Sequence, residues 1–224
     1  MRQDGIEVGA PANVSDLRNH PVLRFVTEQA REQTRPRQHS SGYRIRGADR
    51  ALVVLLSGRR VRGVLTTLKI RLHPSPNFNS RPQGTLVDTI VVHATVFNTL
   101  DEVVGHFADS EKQVSAHYTI DRDGTVVSHV SEDRRAWHAG ESRMKDGRSN
   151  VNDFSIGIEL VNLNDGVDPF PQSQLSALRE LLKEIIARHP IRHIVPHYEV
   201  AVPPGRKSDP AGFHESWFQG LLPQ

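Results

Sequence analysis

A handful of side chains, far apart in the chain, are of the types that hold a divalent ion and move protons beside it. His93 closes the run Ile90-Val91-Val92, and the carboxyl end of such a strand is where open α/β sheets place their ligand sites. A histidine there also serves well as a core group bonded to a backbone carbonyl, so position alone does not decide its role. His193 and His197 stand four apart, the spacing of a helical zinc pair. The β-branched Ile194 and Val195 and the following Pro196 oppose a helix, and on a strand the two rings would lie roughly 13 Å apart. At most one of them serves a given ion, and His197, where the strand gives way to the next segment, is the better placed. Asp209 lies in Pro203-Pro204-Gly205-Arg206-Lys207-Ser208-Asp209-Pro210, fixed by the proline after it. Two imidazoles and a hard carboxylate make a His2Asp set for zinc with a fourth position open. Asp-Pro is equally an ordinary turn, and Arg-Lys an ordinary solvated pair. In an extended segment Lys207 falls on the same side as Asp209 and faces the same cleft.

Glu159 occupies the polar side of a strand whose other side, Phe154, Ile156, Ile158 and Leu160, is apolar. A carboxylate in a central strand is costly unless it is paired or used. It suits a general base that takes a proton from metal-activated water, or an ion pair with an arginine. Its neighbours Ser155 and Gly157 are small and would leave room for a ligand above them. His117, in Ser115-Ala116-His117-Tyr118, and the pair Trp137-His138, in Arg135-Ala136-Trp137-His138-Ala139-Gly140, would line the same cleft. Trp beside His is a common way to meet a sugar ring and just as commonly a buried corner.

The elements that must bring these groups together are legible from residue 87 onward. Residues 89–93 read as a strand buried on both faces. Asn98 or Thr99 can cap a helix running to about Phe107. Residues 115–120 and 125–130, split by Asp121-Arg122-Asp123-Gly124, predict a hairpin, and residues 154–160 another strand. Leu175, Leu178, Leu181, Leu182, Ile185 and Ile186 make one stripe of a helix over residues 172–188, with Pro171 suited to its first turn and Pro190 stopping it. Residues 191–195 return as a strand. Strands interleaved with helices predict an α/β domain around a central mixed β-sheet flanked by helices. Upstream, residues 51–72 alternate short apolar runs with arginines and suggest a strand or two. The three prolines of residues 73–82 force an extended or turning lead-in.

Composition narrows the chemistry further. The chain has 224 residues and no cysteine, which removes disulfide frameworks, thiolate metal sites and cysteine nucleophiles. The net charge of +2 conceals a split. Residues 1–85 carry 15 Lys+Arg against 6 Asp+Glu, and residues 86–224 carry 13 against 20. Residues 1–65 are read as a basic, partly disordered N-terminal extension, and residues 66–224 as the domain that holds the candidate site residues. No run of about 18 apolar residues could span a membrane. The first 20 residues lack the apolar core of a secretory signal, so the expected location is cytoplasmic, with the envelope or exterior open if the start is misassigned.

The series Ser75-Pro76-Asn77-Phe78, Val91-Val92-His93, Ser115-Ala116-His117-Tyr118, Asp123-Gly124, Ala136-Trp137-His138-Ala139-Gly140, Asn152 to Leu160, His197 and Arg206-Lys207-Ser208-Asp209-Pro210 resembles the zinc-dependent N-acetylmuramoyl-L-alanine amidases, over about residues 73–218. These share a fold with peptidoglycan recognition proteins and amidase-type phage lysozymes. The resemblance implies one zinc ion on His93, His197 and Asp209, with Glu159 as the catalytic carboxylate and Lys207 steadying the oxyanion. It implies His117, Trp137 and His138 as pocket-lining groups, and peptidoglycan or a muropeptide as substrate, cleaved between the lactoyl group of N-acetylmuramic acid and L-alanine. The segment between His93 and Ser115 is short beside that of the cytosolic recycling members, which leaves intact wall and anhydro-muropeptides both open. A non-catalytic peptidoglycan-binding module, a zinc peptidase acting on the stem peptide and, least of all, a nucleic-acid binder through the arginine-rich start are the competing readings. The last lacks interleaved aromatics or any recognised motif, so no nucleic-acid partner is expected. Oligomeric state leaves no mark in the sequence.

Overall fold

The structure, a computed structural model, describes residues 70–222, residue 68, and the backbone of two upstream strands. Those strands, β1 (Val53–Ser57) and β2 (Arg60–Leu65), pair antiparallel as a hairpin. The remainder of the expected basic extension lies outside the described residues.

The later elements run β3 (Ile70–Leu72), β4 (Phe78–Ser80), β5 (Thr89–Ala94), α1 (Leu100–Ala108), β6 (Tyr118–Ile120), β7 (Val126–Ser128), β8 (Arg134–Ala136), β9 (Ser155–Leu160), α2 (Gln172–Arg188), β10 (His193–Pro196) and the single turn α3 (His197–Val200). Six strands form one mixed sheet in the order β10-β5-β9-β6-β7-β3. Neighbours are parallel except for the antiparallel hairpin β6–β7. Strands β4 and β8 form a separate antiparallel ribbon. Among the described residues no helix is long and apolar enough to cross a membrane.

Strand alternation assigns the two faces of the sheet. Ile90 and Val92 of β5, Ile156, Ile158 and Leu160 of β9, and Tyr118 and Ile120 of β6 pack with Leu178, Leu181, Leu182 and Ile185 of α2. Each of those helix residues is fully buried, a contribution of roughly 1.5–3 kcal/mol apiece before the entropy of ordering them. The stripe read from the sequence is the one that packs, although Leu175 and Ile186 at its margins are only partly buried. Pro171 stands at the cap, one residue ahead of the first turn.

The opposite face is covered less regularly. Near β10 and β5, Val91 and Val195 meet Ala139, Met144, Val151, Phe154 and Val200. Toward β7, Val127 meets Leu100, Val103 and Phe107 of α1. Thr99 caps α1 with Glu102 closing a capping box, so two orphan donors are met at once. The parallel register sets Thr89, Val91 and His93 opposite Ser155, Gly157 and Glu159. The five side chains among these residues therefore point away from α2 and toward the irregular segment 137–154, and Gly157 between them is bare.

Candidate metal centre

Three structural units deliver the groups. His93 is on β5 and Glu159 directly opposite it on β9. His197 opens α3, immediately after β10, while His193 lies at the other end of that strand, so the two histidines share no helix. Asp209 comes from the loop beyond α3. Its carbonyl accepts from Tyr198 N–H (3.0 Å), and Asn164 brackets it, donating to Ser208 Oγ (3.0 Å) and accepting from Ala211 N–H (2.6 Å).

His93, His197 and Asp209 are all buried and each directs one ligand atom to a common point, the three atoms lying within 4.8 Å of one another. Asp209 Oδ2 is 2.9 Å from His197 Nδ1 and 3.3 Å from His93 Nδ1. Ligands about 2.0–2.1 Å from a tetrahedral zinc are separated by roughly 3.3 Å, so the spacing suits such an ion. The electrostatics agree. Burial, and then the neighbouring His197, lower His93 to about 4, so at neutral pH it is uncharged and carries a lone pair. Burial raises Asp209, but His197 and His93 outweigh it and hold the carboxyl well below its usual range. Two imidazoles and a carboxylate in a dry pocket form a site for a cation.

Glu159 Oε1 lies 4.0 Å from His93 Nδ1, and Oε2 is buried without a hydrogen-bond partner. Burial first, then the charge of Asp209, push this carboxyl up to about 8, against the opposing pull of Lys207. No arginine pairs with it among the described residues, which removes the bland reading of this side chain. Lys207 is exposed, yet its charge acts on both His93 and Glu159, as expected of a group at the mouth of the same site.

The three groups expected to line the pocket have different surroundings. His117 is fully buried; its Nδ1 accepts from Gly157 N–H (3.0 Å) and its Nε2 faces the Arg134 carbonyl (3.1 Å). Burial and then Arg81 lower it to about 3, so it is neutral with both nitrogens committed. Trp137 is half-buried and donates Nε1–H to Asn79 Oδ1 (3.2 Å) on the β4–β8 ribbon. His138 is buried against the centre itself, with its Nδ1 3.0 Å from His93 Nε2. The room expected above Gly157 is not free for a ligand: a Cβ there would stand 2.5 Å from Cγ of His138, whose ring fills it.

Several supporting residues take part whose roles the sequence did not assign. Asn152 Oδ1 accepts from the backbone of His138 (3.2 Å) and Ala139 (2.8 Å). Ser155 Oγ meets His138 Nε2 at 3.1 Å. Arg81 donates to the carbonyls of Glu132, Asn152, Asp153 and Ser155 and ties the ribbon to the segment under the site. Arg81 and Asn152, lone polar residues outside the strands, have no period to betray them.

A buried His2Asp cluster at the carboxyl ends of parallel strands, which could hold a metal ion, with an unpartnered buried carboxyl beside it, is an arrangement suited to a hydrolase built on an α/β sheet. The profile of the family Amidase_2, N-acetylmuramoyl-L-alanine amidase, matches residues 83–212, and the chain belongs to this family. Among its relatives, 1,6-anhydro-N-acetylmuramyl-L-alanine amidase AmpD of Enterobacter cloacae is 36% identical over 171 residues, covering 66% of this chain and 88% of the relative. N-acetylmuramoyl-L-alanine amidase AmiD of Escherichia coli strain K12 is 36% identical over 140 residues, 55% of this chain and 49% of AmiD. Among solved structures, a selenomethionine derivative of AmpD aligns with a TM-score of 0.59 at 32% identity, over 69% of this chain and 94% of that one. AmiD from E. coli, in complex with the substrate anhydro-N-acetylmuramic acid-L-Ala-D-gamma-Glu-L-Lys, aligns with a TM-score of 0.50 at 34% identity, over 58% and 55% of the two chains.

Proposed function

We propose that this protein is a zinc-dependent hydrolase that cleaves the amide bond between the lactoyl group of N-acetylmuramic acid and L-alanine in muropeptides, with one ion held by His93, His197 and Asp209. The convergence of those three side chains, from β5, α3 and the loop after it, is the observation that carries the reading. When bound, zinc would act as a Lewis acid, lowering the pKa of water and polarising the scissile carbonyl. Glu159, unpaired and within reach of the same point, accepts the proton of the attacking water and returns it to the leaving L-alanine nitrogen. A cation at the three ligands offsets Asp209, the charge that helps to keep Glu159 protonated, and so readies it as a base. Lys207 steadies the negative oxygen of the tetrahedral intermediate, a role worth about 10²- to 10³-fold in rate. Half-exposed Trp137 offers a face to the sugar.

AmpD is named for 1,6-anhydro-muramyl substrates and AmiD binds one in its complex, which supports soluble anhydro-muropeptide as a substrate. The hydrolase domain starts at residue 66, and the basic segment 1–65 acts as an arm for anionic wall polymers. Mass spectrometry of anhydro-muramyl-tripeptide digests provides the test. Free anhydro-muramic acid plus an intact stem, lost with chelator and restored by zinc, is expected. A cut within the stem, binding without product, or turnover after complete metal removal would each overturn the reading. A chain beginning at residue 66 is expected to cleave the soluble substrate at an unchanged rate while binding sacculi less well in low salt. Loss of soluble activity would refute the domain division.

A further inference from the structure

Neutral imidazole carries one proton on two nitrogens, and only the bare nitrogen can bind a metal. The hydrogen bonds behind His93 decide which one is bare. Ser155 Oγ lies 2.6 Å from the carbonyl of Val151, a group that only accepts, so the single hydroxyl proton of Ser155 is committed there. Facing His138 Nε2 at 3.1 Å, the same oxygen must therefore accept, which puts the proton of His138 on Nε2. His138 is buried, and among the described residues no carboxylate pairs with it to hold a second proton, so its Nδ1 is an acceptor. His93 Nε2, 3.0 Å from that Nδ1, must donate. His93 Nδ1 is left bare, and it is the nitrogen that faces Asp209. His197 is not ordered in this way, since its Nδ1 faces the Asp209 carboxylate at 2.9 Å and its Nε2 the Ala139 carbonyl at 3.3 Å, and either nitrogen can donate.

We propose that Val151 O, Ser155 and His138 form a proton-ordering relay that locks His93 as the Nε2–H tautomer and so sets the metal affinity of the site, with Ser155 and His138 as positioning residues. Gly157 supports it, because any Cβ at that position would displace the His138 ring. In place of the usual carboxylate or carbonyl behind a metal-bound histidine, a second histidine is used, and its own orientation is dictated two bonds further back. Without the Ser155 hydroxyl, His138 can place its proton on Nδ1. His93 is then driven to carry its own proton on Nδ1, the atom the metal needs.

The proposal rests on the zinc reading of the site, but its test separates the two. Nitrogen-15 correlation spectra of the metal-free wild type are expected to show protonated Nε2 and bare Nδ1 for both His93 and His138. Ser155→Ala, checked for folding by circular dichroism, is expected to show mixed tautomers at His93 and a zinc dissociation constant, from competition with a chromophoric chelator, about 10- to 100-fold weaker. A wild-type His93 protonated on Nδ1, or a folded Ser155→Ala protein in which either readout stays unmoved, would overturn the relay. A wild type that binds no zinc would end the amidase reading instead, and its tautomers would still decide the relay.

Discussion

Glu159 is a carboxyl that the fold keeps under strain. Its Oε2 has no partner and burial pushes it up to about 8, a state that a structural residue would relieve with an arginine. Glu159→Gln keeps the shape and removes the carboxylate proposed as the base. We expect kcat on a soluble muropeptide to fall about 10²- to 10⁴-fold with bound zinc per chain unchanged, measured by steady-state kinetics beside metal analysis. Full activity in the variant would mean that another group takes the proton. The His93, His197 and Asp209 cluster was legible because a chain without cysteine has only imidazoles and carboxylates to offer a metal, and because the order of these residues follows the family pattern. His138 was legible as a residue of the cleft, while nothing in the sequence showed that its ring is wedged between Gly157 and His93.

At the scale of elements, Gly157 is where strand and site are coupled. Its Cα is the floor on which the His138 ring rests, and Gly157→Ala would place a methyl 2.5 Å from Cγ of His138. Overpacking of this kind costs about 1–3 kcal/mol, and the ring cannot move without losing both Ser155 and His93. A lower urea midpoint together with weaker zinc binding is expected, while lost stability at unchanged zinc affinity would show that the ring does not act on the centre. Strand β9 and helix α2 were readable because each repeats its apolar residues at a fixed period, and β5 because it is an unbroken, mostly β-branched run. The β4–β8 ribbon was not, since three-residue strands such as Arg134–Ala136 carry too little alternation and owe their pairing to Arg81, Asn79 and Trp137. The hairpin expected over residues 115–120 and 125–130 is shorter, Tyr118–Ile120 with Val126–Ser128. Ser115 N–H turns to the Trp137 carbonyl and leaves the ladder.

For the whole molecule, the buried histidines make metal-free stability depend on pH. Burial is the leading cause that lowers His93 and His129 to about 4, His117 to about 3 and His138 well below the ordinary value. An unfolded histidine titrates near pH ~6.5, so below that the unfolded chain binds more protons than the folded one. Stability is complete above about pH 6.5 and is lost as the pH falls toward the folded values. Urea midpoints of the metal-free protein at pH 7.5 and 5.0 are expected to differ, the acid one lower; equal midpoints would contradict neutral burial of these rings. Glu132 adds to the trend. Its burial is outweighed by hydrogen bonds from His189 and Arg188, which hold its carboxyl well below the usual range, and the stability it gives is lost as the pH drops below about 4.3, the ordinary glutamate value. The α/β class and the mixed sheet were legible at this scale because the order of long elements leaves few topologies open.

An anomalous difference map at the zinc edge, from crystals of the zinc-loaded protein, tests the central claim most directly. It should show a single peak about 2.0–2.2 Å from Nδ1 of His93, Nδ1 of His197 and a carboxylate oxygen of Asp209. A peak held by other residues, or none in crystals of protein that hydrolyses muropeptide, would contradict it.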